Sequence, residues 1–153
     1  MSERDIQLHL PNLKRPDYSI ESPKNPSYNC IAWVFLDTTR RWDPAFIPGY
    51  YWPDGISRSI AVDSVIGMFE TIGHFEKCQH GDLEAGFEKI AIYEDADRDF
   101  SHVARQKSDG NWTSKLGRLD DIDHSNPLVL EQDYGLIVQF LKRPRKNGEA
   151  QSS

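Results

Sequence analysis

The sequence predicts an α+β fold, with helices in the N-terminal part packed on an antiparallel sheet. Apolar residues first recur at helical spacing, as Ile31, Val34 and Phe35 and then as Val62, Val65, Ile66, Phe69 and Ile72. After Gly73 the pattern changes to short apolar or alternating runs bounded by turn-formers. Helices followed by strands, without alternation of the two, is the order of an α+β domain. The chain has 153 residues, 38% of them apolar and 27% charged, which is enough to close one core and too apolar for disorder.

The elements follow in order. Residues 1–24 form an extended leader, because Pro11, Pro16 and Pro23 interrupt any regular run. The domain itself is expected over 25–143, with a polar, disordered tail over 144–153. Asn29 is a good N-cap, so the first helix begins there and Trp33 anchors it in the core. The stretch 40–55 is dense in aromatics, Pro and Gly and reads as a long loop. A second helix is predicted over 60–72, with Gly73 as its C′ residue. Strands are predicted at 87–95, 101–107, 111–117 and 134–143, the middle two joined across Ser108-Asp109-Gly110.

Composition excludes several functions. Net charge is −6 and basic residues cluster only in "KRPRKNG", so no nucleic-acid partner is expected. No window approaches 18 apolar residues, so no membrane partner is expected either. "MSERDIQLHL" is charged and lacks an apolar signal core, which makes the cytoplasm the expected compartment. Two cysteines do not make a disulfide framework. "HFEKCQH" holds His74, Cys78 and His80, but no second ligand pair follows at zinc spacing; the segment reads as an exposed turn with Cys78 packed inward. There is no Gly-x-Gly-x-x-Gly. No metal or cofactor is expected.

What remains is thiol chemistry. Cys30 follows a run of turn-formers and opens the first helix. A cysteine attacks only as thiolate, so it needs N–H groups to hold the anion and an imidazole to take the proton. His102 opens an alternating strand, sharing a face with Ala104 and Gln106 while Val103 and Arg105 face the other way. Ser114 on the return strand, or else His124 in "DDIDH", supplies a third group to orient the ring. The oxyanion would be held by the N–H of Cys30 with help from Tyr28 or Asn25. Trp112 is either core or a substrate contact, and Arg105 and Lys115 read as exposed-face charges.

Cysteine on an N-terminal helix, then "HVARQKSDGNWTS" with its Asp109-Gly110 turn, resembles the papain-like superfamily, in particular its NlpC-type amidase and peptidase branch. The resemblance implies a papain-like scaffold on which Cys30 attacks, His102 acts as base and Ser114 falls where the branch carries its third polar residue. The branch typically reads Asp-Cys-Ser-Gly where this chain has Asn29-Cys30-Ile31-Ala32. The string "YNCIAW … EKIAIY … HVARQ … DGNWTSKLG … DIDH … YG" is also similar to an uncharacterised bacterial domain family of unknown function. The expected activity is therefore a cysteine hydrolase of amide or acyl bonds, taking a peptide or amide substrate. The alternative is a non-catalytic interaction module, antitoxin-like or accessory, that meets a protein partner through its aromatic loop at 42–52.

Overall fold

Among the described residues, seven strands form one sheet in which every neighbouring pair is antiparallel, and helices and one long loop pack on it. The computed structural model describes residues 6, 8–13, 18–22, 27–45, 48–116 and 121–145. In chain order the elements are β1 (Tyr18–Ser22), α1 (Cys30–Val34), β2 (Arg41–Trp42), β3 (Tyr50–Tyr51), α2 (Val62–Gly73), β4 (Glu76–Cys78), β5 (Phe87–Glu94), β6 (Phe100–Gln106), β7 (Trp112–Lys115) and β8 (Asp121–His124). A 3₁₀ turn (Pro127–Leu130) then runs into α3 (Glu131–Tyr134) and β9 (Leu136–Pro144). The order across the sheet is β1-β8-β7-β6-β5-β9-β4.

The central strands are buried on both faces, which explains the apolar run Ile90–Tyr93 of β5. In β5, Ile90 and Ile92 join a core with Trp33, Val65 and Phe69 of the helices, whereas Ala91 and Tyr93 join a second core with Ile6, Leu13, Trp112 and Ile122. In β6, Val103 belongs to the helix-side core and Ala104 to the other, so the alternation read from the sequence fixes the face of His102. Arg105 and Lys115, expected on an exposed face, are instead buried on the helix side, because no face of these strands meets solvent. The Arg105 guanidinium lies 5.1 Å over the Trp33 ring, and Lys115 Nζ lies 5.1 Å over that of Tyr28.

Helix α1 begins as predicted. The Asn29 side chain accepts from the N–H of Ala32 at 3.2 Å, and it also clasps the backbone of Trp42, accepting from its N–H at 3.1 Å and donating to its carbonyl at 2.7 Å. The predicted C′ role of Gly73 passes to His74, which takes the left-handed conformation at φ 59°. Gly73 is glycine for a different reason: a Cβ there would lie 2.8 Å from the Phe75 ring. The loop at 40–55 contains β2 and β3, a parallel pair. Its Trp42 and Trp52 are buried, and its exposed side is closed by Arg40 stacked 3.6 Å over Tyr51.

Three strands of the seven-stranded sheet were not legible in the sequence. Residues 18–22 of the expected leader are extended and pair with β8 as an edge strand, while Ile6, Leu10 and Leu13 fill the second core. The segment after α2, expected as a turn, contains edge strand β4, where Cys78 is half-buried. His124 is the last residue of β8. The strand expected from 134 begins at Leu136, since Tyr134 ends α3. Asn25, residues 117–120 and residues 146–153 of the expected tail lie outside the described residues. No helix among the described residues is long and apolar enough to cross a membrane.

Candidate active site

Strand β6 is only partly matched by β7, which pairs with Arg105 and Gln106 and then diverges. The first half of β6 therefore has an edge that β7 does not take. Helix α1 packs on β6, and the backbone N–H groups of Val103, Ile31 and Cys30 itself act to lower the pKa of the Cys30 thiol. Burial dominates over these contacts and over the positive charge of Lys115, so the thiol is pushed up to about 11 although the residue as a whole remains half-buried. Cys30 packs against the helix-side core, whereas the face of β6 that carries His102 looks into the second core.

His102 projects into the second core. Its imidazole stacks on Tyr134, with ring centroids 4.2 Å apart and planes 9° from parallel, and leans on Tyr93 at 5.3 Å. Burial, with a smaller contribution from the charge of His124, lowers its pKa to about 3. Its Nε2 is buried without a hydrogen-bond partner among the described residues. The resting site thus holds a neutral thiol and a neutral imidazole. The ring of half-buried Tyr134 covers His102. Burial first, then Cys30 and Asp133, hold its hydroxyl protonated far above the usual tyrosine range.

Ser114 and His124, expected as alternative partners of His102, are partners of each other. Trp112 pairs with His124 across β7 and β8, which sets Ser114 diagonally over the ring, with Oγ 2.8 Å from Nε2. The other ring nitrogen, Nδ1, lies 3.1 Å from the carbonyl of Asn126. A carbonyl only accepts, so Nδ1 carries the proton, Nε2 is the acceptor and the serine hydroxyl donates. Burial outweighs the Asn126 hydrogen bond and lowers His124 to about 4, which keeps this tautomer neutral.

Two other expected residues, Tyr28 and Trp112, have partners of their own. Tyr28 stacks on Trp33 and donates its hydroxyl to Asp121 at 2.6 Å, so that hydroxyl is already engaged with a carboxylate. Trp112 pairs with Gln106, four residues along β6 from His102, or roughly 13 Å at strand rise. It lines a groove of ≈ 490 Å³ together with Phe140 and Leu128. A separate hollow of ≈ 410 Å³ opens at the His102 end of the sheet, lined by Glu94, Arg98, Gly135 and Leu136. Tyr134 was not singled out from the sequence; its one signal was the Tyr134-Gly135 pair immediately before an apolar strand.

The chain belongs to a domain family of unknown function, DUF7689. The match covers residues 19–142, from within β1 to within β9. The DUF7689 unit is therefore the whole sheet with its helices, and it contains Cys30, His102 and Tyr134. The likeness to an uncharacterised family that the sequence suggested is this one. No curated protein and no solved structure matches the chain.

Proposed function

We propose that this domain is a cysteine hydrolase of amide or acyl bonds, built on a papain-like scaffold and acting on a peptide or amide substrate in the cytoplasm. One observation carries the reading: α1, which begins at Cys30, packs on β6, the strand that carries His102, and the buried Nε2 of His102 has no hydrogen-bond partner among the described residues. Both groups rest neutral, which is the protonation state from which general-base attack starts. The Cys30 sulfur bonds to the carbonyl carbon as its proton passes to Nε2 of His102, and the carbonyl electrons move onto oxygen. Collapse expels the leaving group with that proton and leaves a thioester on Cys30. Water then adds to the thioester with His102 again as base, which releases the acid and restores the thiol.

The second reading, a non-catalytic interaction module, has a weaker footing. Its contact surface was the aromatic loop at 42–52, and Trp42 and Trp52 of that loop are buried in the core. Burial of the Cys30 thiol is the observation in its favour.

The test uses p-nitrophenyl acetate as an acyl donor, followed by mass spectrometry of the intact protein and its peptides. A thioester is expected on Cys30, absent from Cys30→Ala and formed on the order of 10²–10⁴-fold more slowly in His102→Ala. No adduct on Cys30, or equal rates with and without His102, would sink the hydrolase reading in favour of the module.

A further inference from the structure

We propose that the groove over Trp112 and Phe140 is a binding site for a neutral, flat ring that carries an N–H donor, and that Oε1 of Gln106 is the acceptor that selects it. The site lies toward the other end of β6 from His102 and does not depend on the Cys30–His102 reading.

Strand register builds the floor of the groove. Gln106 pairs directly with Trp112, so the two side chains leave the same face of the sheet as neighbours. The Trp112 ring meets that of Phe140 at 6.2 Å between centroids, with the planes 54° apart, and the two form a tilted aromatic wall. Gly81 lies against Phe140, where a Cβ would fall 2.6 Å from the ring. That close approach brings the Gly81 carbonyl to 2.8 Å from Gln106 Nε2, which donates to it. Gly81 and Gln106 both line the groove, so this amide is part of its floor. A carbonyl only accepts, so the amide cannot be turned round, and Oε1 is the atom left over. Gln106 is 1% exposed, and its Oε1 has no hydrogen-bond partner among the described residues. A buried acceptor left this way is costly. A ligand that brings a donor to Oε1 recovers the cost, and one that brings only another acceptor does not.

The rest of the lining says what should carry that donor. At ≈ 490 Å³ the groove has the size of a small-molecule site, in which apolar and aromatic walls surround a few polar groups that fix orientation. Its one ionisable side chain among the described residues is Asp82, a carboxylate, so a phosphate or carboxylate ligand meets no cation in the lining. A flat ring suits the Trp112–Phe140 pair, because aromatic rings take a further ring edge-on or offset. Leu83 and Leu128 line the groove while 53% and 54% exposed, which makes them its rim. Oε1 is closed from solvent, so the ring seats by turning these two side chains aside.

Indole and benzofuran separate recognition from simple burial, since they share two fused rings and differ in carrying N–H or oxygen at one position. Each is titrated into the full-length protein and followed by NMR of the amide and indole N–H groups. Indole is expected to bind saturably, to shift the Gln106 side-chain amide and the Trp112 N–H, and to bind about 10-fold more tightly than benzofuran. Gln106→Met keeps the length of the side chain and loses the acceptor, so there the two ligands should bind equally. Leu128→Asp changes only the exposed rim and should weaken both ligands by the same factor. No saturable indole binding, equal affinity of the two ligands for the wild type, or shifts confined to another part of the protein overturns the site. A preference for indole that survives in Gln106→Met overturns the role of Oε1. If Gln106→Met does not fold, the wild-type titrations decide the preference for a donor and Leu128→Asp decides the place, and unchanged binding in Leu128→Asp overturns the proposal.

Discussion

Opposing influences meet at the Cys30 sulfur. Three backbone N–H groups and the Lys115 charge favour the thiolate, and burial opposes it and prevails, holding the thiol at about 11. The resting protein therefore does not store a preformed anion; in the proposed hydrolase, ionisation would wait until His102 accepts the proton. A measurable consequence follows for the resting protein. Below pH 9 the native thiolate population should be about 100-fold smaller than that of the unfolded chain, whose thiol titrates near ~8.5–9. Iodoacetamide should thus label Cys30 far more slowly in native protein than in urea, with the native rate still rising through pH 10. Native labelling as fast as that of the unfolded chain at pH 8 would show that the sulfur is held as an anion and that burial does not dominate. Asp37 shows the reverse balance at an exposed turn. Burial again acts to raise its pKa, but hydrogen bonds from Trp42, Arg40 and Thr39 win and hold the carboxyl well below the usual range.

Among the elements, α1 has the least intrinsic stability. Five residues cannot sustain a helix alone, so its position depends on its cap and its packing. Asn29 supplies the cap and also clasps Trp42 from both sides, joining the start of α1 to the aromatic loop. Asn29→Ala should cost about 2–3 kcal/mol in urea denaturation, from loss of the cap and of two further hydrogen bonds. Asn29→Asp should recover part of that, because the carboxylate still accepts but cannot donate to the Trp42 carbonyl; equal loss in the two variants would show that the clasp contributes nothing. The capped start of α1 was readable from sequence because capping is local, and so were α2, β5 and β6, whose periodicities run long enough to be distinctive. Strands β1, β4 and β8 were not, since each is at most five residues long and owes its conformation to a partner distant in the chain. Arg105 and Lys115 misled for a related reason: a charge in an alternating strand looks solvent-facing until the sheet is known to be covered on both sides. Tyr134 could not be found by pattern at all, because its stack on His102 exists only once β9 lies beside β5.

Taken whole, the molecule is a sheet with two cores, and the second core holds two imidazoles. His102 is lowered to about 3 and His124 to about 4, in each case chiefly by burial, against about 6.5 for an unfolded histidine. Between these values the unfolded chain binds protons that the folded chain refuses, so stability must rise with pH across that window. The contribution of the neutral rings is complete above about pH 6.5 and is lost as pH falls towards 3 to 4. It amounts to several kcal/mol for the pair, which is comparable with the total stability of an ordinary domain. The urea midpoint should therefore be flat from pH 7 to 8 and fall steeply from pH 6 to 4, where most carboxylates are still ionised. His102→Phe keeps an aromatic ring against Tyr134 but cannot titrate, so its midpoint should decline more gently over the same range. Parallel slopes for the wild type and His102→Phe would mean that His102 titrates freely in the folded state, and a freely titrating ring would not be sealed in the second core. The same experiment bears on the chemistry. An imidazole that resists protonation down to pH 4 stays a base through the whole physiological range, and a hydrolase using it should lose its acyl-transfer rate at low pH through unfolding before it loses it through protonation of His102.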